Sequence, residues 1–162
     1  MKRRDKINYY LDIAEQVSKR CTCFRRHYGA VIVKADEIIS TGYVGAPRGR
    51  KNCTDIGYCI REEKKIARGE RYEMCRSVHA EANAIISAPR KDMIESAMYL
   101  TGFEVSTGEY IKNAVSCMMC KRLLINAGIK TLYVRDDKDN YRVINVEDWV
   151  TNDDSLSGEF GY

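Results

Sequence analysis

Two short motifs that lie far apart in the chain limit how it can fold, because their side chains suit a common task. His79 stands two residues before Glu81, and Cys117 stands three residues before Cys120. On a helix, a spacing of three places both sulfurs on one face, and one imidazole added to them makes a three-ligand zinc set with one open position. The fold is therefore expected to bring the starts of two helices together.

Each motif also has an ordinary structural explanation when it is considered alone. His79 fits a buried histidine with satisfied hydrogen bonds, and the cysteine pair fits buried thiols or a redox motif. Glu81 adds a second function, because its carboxylate can reach a metal-bound water and move protons without ligating the metal. Zinc lowers the pKa of such a water to about 7. Taken together, these features predict a catalytic zinc rather than a structural one.

Hydrophobic periodicity predicts that helices and strands alternate around these motifs. Two β-branched runs separated by the polar turn 34–37 predict an antiparallel hairpin. The predicted helices cover residues 5–19, 79–88 and 117–127, and the predicted strands cover residues 30–33, 38–43, 98–101 and 130–135. The alternation predicts a largely parallel second half and a three-layer α/β sandwich with helices on both faces of the sheet.

Composition favours one globular domain, with 44% apolar and 31% charged residues. No apolar run reaches the ~20 residues that cross a bilayer, and the basic start is not followed by a signal-peptide core, so we expect a cytoplasmic protein with no membrane partner. The 27 Lys and Arg exceed the 23 Asp and Glu, whereas residues 143–162 hold acidic side chains and no Lys or Arg. We therefore predict a basic domain over residues 1–145, suited to phosphate-bearing partners, and an acidic C-terminal tail over residues 146–162.

His-x-Glu followed by Cys-x-x-Cys is the signature of zinc-dependent base deaminases. Residues 79–85 read H-A-E-A-N-A-I, residues 42–47 read G-Y-V-G-A-P, and residues 28–32 read Y-G-A-V-I. These stretches resemble the H-A-E-x-N-A-I, G-Y-N-G-x-P and V-G-A-V-I motifs of the deoxycytidylate (dCMP) deaminase family, which is part of the cytidine deaminase superfamily. The resemblance implies a zinc-dependent deaminase domain with a five-stranded mixed sheet in an α/β/α sandwich. It also implies hydrolysis of dCMP to dUMP with release of ammonia.

The resemblance also assigns substrate contacts, and two of them depart from the family pattern. The backbone N–H of Ala80 would hold the base carbonyl, Glu81 would protonate a ring nitrogen, and the backbone at Ser116 would hold the amino group. Ser116 replaces a proline and is expected to cap the next helix. Val44 replaces an asparagine that in relatives contacts the sugar, and its side chain can neither donate nor accept a hydrogen bond. Losing one such bond costs about 0.5 to 1.5 kcal/mol.

Other properties are implied by the resemblance without a residue assignment. The family often forms a homo-oligomer, either a hexamer or a dimer, and in many relatives dCTP activates and dTTP inhibits. A Mg²⁺ ion would accompany such a nucleotide effector. No phosphate ligand is assigned; the candidates are Arg48, Lys138, Tyr141 and Arg142.

The remaining cysteines border or occupy a stretch, residues 44–73, that is longer and more polar than an ordinary loop. By resemblance to bacterial and phage relatives, Cys23, Cys53 and Cys75 match the ligands of a second, structural zinc. Cys59 is the natural fourth ligand, which would leave Cys21 as a free thiol. The alternative is that Cys21 completes the site in place of Cys59. Such a site would order the stretch, since metal binding contributes folding free energy. A set of buried thiols is the simpler explanation.

Three functions remain open on the sequence. The first is deamination of a free cytosine nucleotide, most simply dCMP. The second is deamination of a different base or nucleoside, including a base within tRNA; aromatic residues are not clustered with basic ones, which disfavours nucleic acid as a partner. The third is a non-catalytic, zinc-stabilised nucleotide-binding protein, against which Glu81 argues because a structural zinc needs no proton carrier.

Overall fold

Five strands form one mixed sheet in a computed structural model that describes residues 1–157. The last residues of the predicted acidic tail, 158–162, lie outside the described residues. The strands are β1 (Arg26–Lys34), β2 (Glu37–Tyr43), β3 (Ala97–Glu104), β4 (Thr131–Arg135) and β5 (Tyr141–Asn145), and their order in the sheet is β2-β1-β3-β4-β5. The α-helices are α1 (Lys6–Ser18), α2 (Cys53–Ile56), α3 (Ile60–Glu63), α4 (Ala80–Ile86), α5 (Arg90–Met93), α6 (Met118–Ala127) and α7 (Glu147–Thr151), and short 3₁₀ turns cover Tyr72–Met74 and Asp154–Ser157.

The predicted hairpin is confirmed as the antiparallel pair β1 and β2. Its two turn residues, Ala35 and Asp36, have φ values of 49° and 67°. Positive φ at both central positions is typical of the tight turns whose twist matches that of the strands. The register places Gly29 opposite Tyr43 and thereby aligns two of the stretches that resemble the deaminase family.

The predicted parallel pairing in the second half is confirmed for β3 and β4 only. Strand β5, which the periodicity did not predict, pairs antiparallel with β4, so the second half is not largely parallel. The turn between β4 and β5 is closed by Asp137, whose carboxylate accepts hydrogen bonds from the backbone N–H groups of Asp139 and Asn140. This charged turn allows a hairpin where an α-helical crossover would otherwise be needed for a parallel neighbour.

Helices cover both faces of the sheet, which confirms the three-layer sandwich. Helix α1 packs on one face against Val31, Val33 and Tyr99. Helices α4 and α6 pack on the other face, where Ala84 and Leu124 join a core with the opposite side chains of β1 and β3. Within residues 1–157, no helix has both the length and the apolar character needed to cross a membrane.

Two glycines let the helices approach the sheet closely. A Cβ atom on Gly29 would lie 2.0 Å from the carbonyl oxygen of Ala14 in α1. A Cβ atom on Gly42 would lie 2.2 Å from the carbonyl oxygen of Ala80, the first residue of α4. The family-like stretches around these glycines therefore set the distance between the sheet and the helix that begins beside His79.

The long stretch after β2 is closed at its ends by an isolated bridge. Gly45 and Val78 exchange backbone hydrogen bonds of 3.3 and 2.8 Å. Between them the chain forms only short helical turns, as expected from its polar composition. After β5, Val146 is buried in the main core and Trp149 packs against that core. The domain limit at residue 145 stays a prediction.

Candidate active site

The two sequence motifs meet because each begins a helix on the same face of the sheet. His79 is the N-cap of α4 and Cys117 is the N-cap of α6, and both have extended backbone angles. Helices α4 and α6 contact each other. The prediction that Ser116 caps α6 is wrong, since the helix begins one residue later and the cap position falls to Cys117. Both helix N-termini place partial positive charge beside the two motifs.

The three predicted metal ligands converge. His79 Nδ1 lies 3.5 Å from the Sγ atoms of both Cys117 and Cys120. A tetrahedral zinc ion with bonds of about 2.0 Å to nitrogen and 2.3 Å to sulfur separates such ligands by about 3.5 Å. The donor set and its spacing therefore fit zinc. It is the only group of three or more potential metal ligands that residues 1–157 bring within 4.8 Å of one another.

The charges in this set suit a metal cation. A hydrogen bond from the Cys120 thiol, followed by contact with His79, lowers the pKa of Cys117 to about 4 despite its burial. The same contact, together with burial, raises the pKa of Cys120. Cys117 is thus a thiolate near neutral pH, and a bound cation would favour the second thiolate as well.

Glu81 lies in the first turn of α4 and is only 5% exposed. Burial raises the pKa of its carboxyl group, the nearby His79 imidazole opposes that rise, and the Cys117 thiolate adds to it. The buried hydroxyl of Ser116 lies beside this carboxyl group, and its contact lowers the pKa slightly. A carboxyl group in this setting is suited to carry protons.

A cavity of about 140 Å³ opens onto His79, Glu81 and Cys117. Val44 also lines it, although its side chain is 7% exposed and belongs to the main core. The backbone N–H of Val44 donates to the Tyr28 carbonyl over 3.4 Å. The structure thus brings Val44, the predicted sugar-contacting position, to the same cavity as Glu81, with an apolar side chain there.

The four cysteines predicted to hold a second zinc are neighbours but do not converge. Cys23 and Cys75 line the cavity. Burial and, to a smaller degree, Cys23, Cys75 and Cys59 raise the pKa of Cys53, whose thiol lies 3.9 Å from the Ser77 hydroxyl. These four residues do not form a second group of ligands as close as the His79 set in the described chain. The second zinc stays a prediction.

Cys21 lies apart from that set and has backbone partners. Its thiol donates to the Tyr28 carbonyl over 3.1 Å and accepts from the Val44 N–H over 3.3 Å. Burial raises the pKa of Cys21 to about 11. The Cys21 thiol is therefore neutral, and it has a partner both as a hydrogen-bond donor and as an acceptor. These contacts are consistent with the prediction that Cys21 is a free thiol rather than a zinc ligand.

The cationic side chains of the cavity were missed by sequence reasoning. They are Arg25, Arg26, Arg61 and Arg68. None of the predicted phosphate candidates lines this cavity: the Arg48 guanidinium donates to Ser87, and Arg142 pairs with Asp136. The adjacent Arg25 and Arg26 at the start of β1 were a usable sequence signal. Arg61 and Arg68 were not, because their position depends on the folding of the long loop.

Tyr72 was also missed. Its ring packs edge-on against the His79 imidazole, with ring centroids 4.8 Å apart and planes at 88°. The guanidinium of Arg61 lies 4.7 Å above the same tyrosine ring. The loop therefore reaches the proposed metal ligand through one aromatic side chain.

Comparison with known proteins agrees with this geometry. The family model described as the cytidine and deoxycytidylate deaminase zinc-binding region matches residues 4–135. The deoxycytidylate deaminase of Mycobacterium phage D29 is 33% identical over 135 residues, which cover 80% of this chain and 94% of the phage protein. The deoxycytidylate deaminase of Schizosaccharomyces pombe is 30% identical over 123 residues, which cover 76% of this chain and 34% of the yeast protein.

A solved structure supports the fold. The dCMP deaminase of cyanophage S-TIM5, crystallised with dCMP and dUMP, aligns with a TM-score of 0.58 over 85% of both chains at 23% identity. At that identity the likeness concerns the arrangement of the sheet and its helices.

Proposed function

Because the chain belongs to the cytidine and deoxycytidylate deaminase family, we propose that it hydrolytically deaminates a free cytosine nucleotide, converting dCMP to dUMP and ammonia. The observation that carries the proposal is the convergence of one imidazole and two thiols beside the buried carboxyl group of Glu81. A closed structural site would need a fourth protein ligand and no proton carrier.

The roles of the residues follow from their positions. His79, Cys117 and Cys120 would hold a zinc ion. When bound there, zinc supplies a Lewis acid that makes water acidic and stabilises negative charge on the substrate. Glu81 accepts a proton from the attacking water and delivers it to a ring nitrogen. It then accepts the second proton, from the hydroxyl group added to the ring carbon, and delivers it to the amino group, which leaves as ammonia when the C–N bond breaks. Its raised pKa suits both directions of transfer.

Backbone groups would orient the base. The N–H of Ala80 is in the first turn of α4, where backbone N–H groups lack partners within the helix and attract a carbonyl oxygen. The carbonyl group of Ser116, just before the cap of α6, would accept from the amino group of cytosine. These groups would contact only the base, so the sugar and its substituents would contact the residues around Val44.

An ammonia-release assay with the zinc-loaded protein tests this function. Equal concentrations of dCMP, deoxycytidine, dCTP and a tRNA anticodon stem are compared. We expect dCMP to react fastest. Equal rates on all four substrates, or reaction of the tRNA stem alone, would contradict the proposal.

The likeness to the family is the support for further parts of the proposal. These are a second zinc held by Cys23, Cys53 and Cys75 with Cys59 or Cys21, a homo-oligomeric assembly, regulation by dCTP and dTTP with Mg²⁺, and a place in the cytoplasm. The mutual proximity of Cys23, Cys53, Cys59 and Cys75 adds to the case for the metal.

A further inference from the structure

We propose that Arg25 and Arg61 form an anion subsite that holds the phosphate group of the substrate. Both guanidinium groups line the cavity that contains Glu81 and His79. The inference rests on the proposed function, since it names the group that would distinguish a nucleotide from a nucleoside at this site.

Arg61 is the more buried of the two. It is 6% exposed, and its Nε–H is buried without a hydrogen-bond partner among the described residues. One terminal nitrogen donates to the carbonyl groups of Ala67 and Glu70, over 3.2 and 2.8 Å. Neutral carbonyl oxygens do not cancel its charge, and no carboxylate lies within ion-pair distance of it in residues 1–157. A buried cation of this kind is costly unless an anion joins it.

Arg25 has a similar unused donor. Its side chain is 15% exposed, and its Nη1 is buried with no hydrogen-bond partner in the described chain. Its one carboxylate neighbour, Glu62, lies 3.6 Å from Nε and is 56% exposed, so that pair is long and screened by water. The Nη1 group is therefore available to a ligand.

The charge around the cavity favours an anion over a neutral ligand. Arg26 and Arg68 share a single carboxylate, Glu104, at 2.8 and 3.2 Å. Four guanidinium groups thus face two carboxylates, Glu62 and Glu104, apart from the catalytic Glu81. Planar guanidinium donors match the oxygens of phosphate, and paired arginines bind it more specifically than a single ammonium group would.

The subsite is also linked to the metal ligands. Arg61 ties residues 67 and 70 to α3 through its carbonyl contacts and lies over Tyr72, which packs against His79. A phosphate that binds Arg61 would stabilise this loop in the conformation that supports His79. Phosphate would then improve both the affinity and the orientation of the substrate.

The first test compares two substrates in one variant. Arg25→Gln removes the charge and the unused donor, with Arg90→Gln as matched control because Arg90 is exposed and contacts only the carbonyl of Asn126. We expect Arg25→Gln to lower kcat/KM for dCMP about tenfold to hundredfold, mainly through KM, and to leave deoxycytidine unchanged. Equal losses on the two substrates, or a loss on neither, would overturn the subsite. Arg25→Lys should recover part of the loss.

The second test does not depend on turnover. Calorimetry with the zinc-loaded protein measures binding of inorganic phosphate, dUMP and deoxyuridine. We expect dUMP to bind more tightly than deoxyuridine, and Arg25→Gln and Arg61→Gln, but not Arg90→Gln, to remove that advantage and weaken phosphate binding. Absence of phosphate binding to the wild type, or equal binding by all variants, would refute the subsite. A protein that binds phosphate in this way but deaminates no substrate would instead refute the proposed function alone.

Discussion

Opposing influences act on the carboxyl group of Glu81. Burial and, to a smaller degree, the Cys117 thiolate raise its pKa, whereas the His79 imidazole and a backbone hydrogen bond at the start of α4 lower it. The balance matters because a carboxyl group that stays strongly acidic would accept protons but not return them near neutral pH.

We expect Glu81→Gln to retain zinc and lose turnover. The amide keeps the size of the side chain but cannot carry a proton, and general acid-base catalysis contributes about 10² to 10⁴ in rate. The measurements are ammonia release from dCMP and zinc content per chain, with the exposed Glu109→Gln as control. Turnover within a few fold of wild type would show that another group carries the proton.

At the residue scale, the candidate metal ligands could be predicted from the sequence, whereas Arg61 and Arg68 of the cavity could not. His79, Cys117 and Cys120 lie at helix starts, which local sequence specifies, and their chemistry is unusual enough to be recognised. Arg61 and Arg68 are ordinary charged residues in a polar stretch. Their place in the cavity depends on the Gly45–Val78 bridge, a long-range contact that no local pattern indicates.

At the level of elements, the contact between β2 and α4 positions one side of the site. Gly42 faces the first turn of α4, and the hydroxyl of Ser40 donates to the carbonyl of Ala84 over 2.7 Å. Any side chain at Gly42 would push α4, and with it His79, away from the sheet. The spacing between His79 and the two cysteines of the candidate metal site would then change.

Gly42→Ala tests this dependence. Its Cβ would lie 2.2 Å from the Ala80 carbonyl oxygen and 2.3 Å from the Ala84 nitrogen, so the helix must shift. We expect a loss of about 1 to 3 kcal/mol in the free energy of unfolding, together with weaker zinc binding. In the matched variant Gly45→Ala the added atom meets a side-chain carbon at 3.3 Å, and the loss should be smaller. Urea denaturation and zinc titration measure both effects; equal losses in the two variants would contradict the argument.

The loop after β2 gives a second prediction at this scale. If Cys53 is a ligand of a structural zinc, Cys53→Ser should lower the zinc content from about two ions per chain toward one, because structural sites need four protein ligands. Cys21→Ser distinguishes the two candidates for the fourth ligand: because the Cys21 thiol contacts backbone groups, the zinc content should stay unchanged if Cys59 completes the site. Zinc is measured by atomic emission on protein dialysed to constant content. An unchanged zinc content in Cys53→Ser would contradict the hypothesis that Cys53 holds a second zinc.

Sequence reasoning found the elements with strong periodicity and missed the weak ones. Helix α6 was predicted from its apolar spacing and from Gly128, which ends it in the left-handed conformation at φ 81°. Strand β5 was not predicted from the residues, because it is short, half exposed, and joined to β4 by a charged turn that resembles a surface loop. The antiparallel sheet edge therefore came as a correction.

At the scale of the whole molecule, Arg135 joins the sheet to α1. Its side chain is fully buried at the end of β4. It pairs with Asp12 at 2.7 Å and Glu15 at 3.0 Å, and it donates to the Asn8 side chain over 3.0 Å. A buried guanidinium depends on these partners, because an unpaired charge there would be strongly destabilising. The network thus connects the first helix to a strand more than a hundred residues later.

The acid sensitivity of this network can be predicted with a definite sign. Burial alone would raise the pKa of Asp12, but hydrogen bonds from Arg4 and Arg135 outweigh it and lower the pKa below the ordinary 3.8. Because the pKa is lowered in the folded state, the contribution of Asp12 to stability is complete at pH values above the ordinary 3.8. This contribution is lost as the pH falls from 3.8 through the folded-state pKa.

We expect Asp12→Asn to cost about 1 kcal/mol near neutral pH, a modest value because the Asp12 side chain is 44% exposed and water screens the pair. As the pH falls below the ordinary 3.8 of an aspartate, the wild-type carboxylate becomes protonated, and the stability difference between wild type and variant should shrink toward zero. Urea denaturation of both proteins across this range measures the difference directly. Acidic groups outside this network titrate equally in both proteins and cancel in the comparison. A difference that stays constant with pH would show that Asp12 contributes through its shape rather than through its charge.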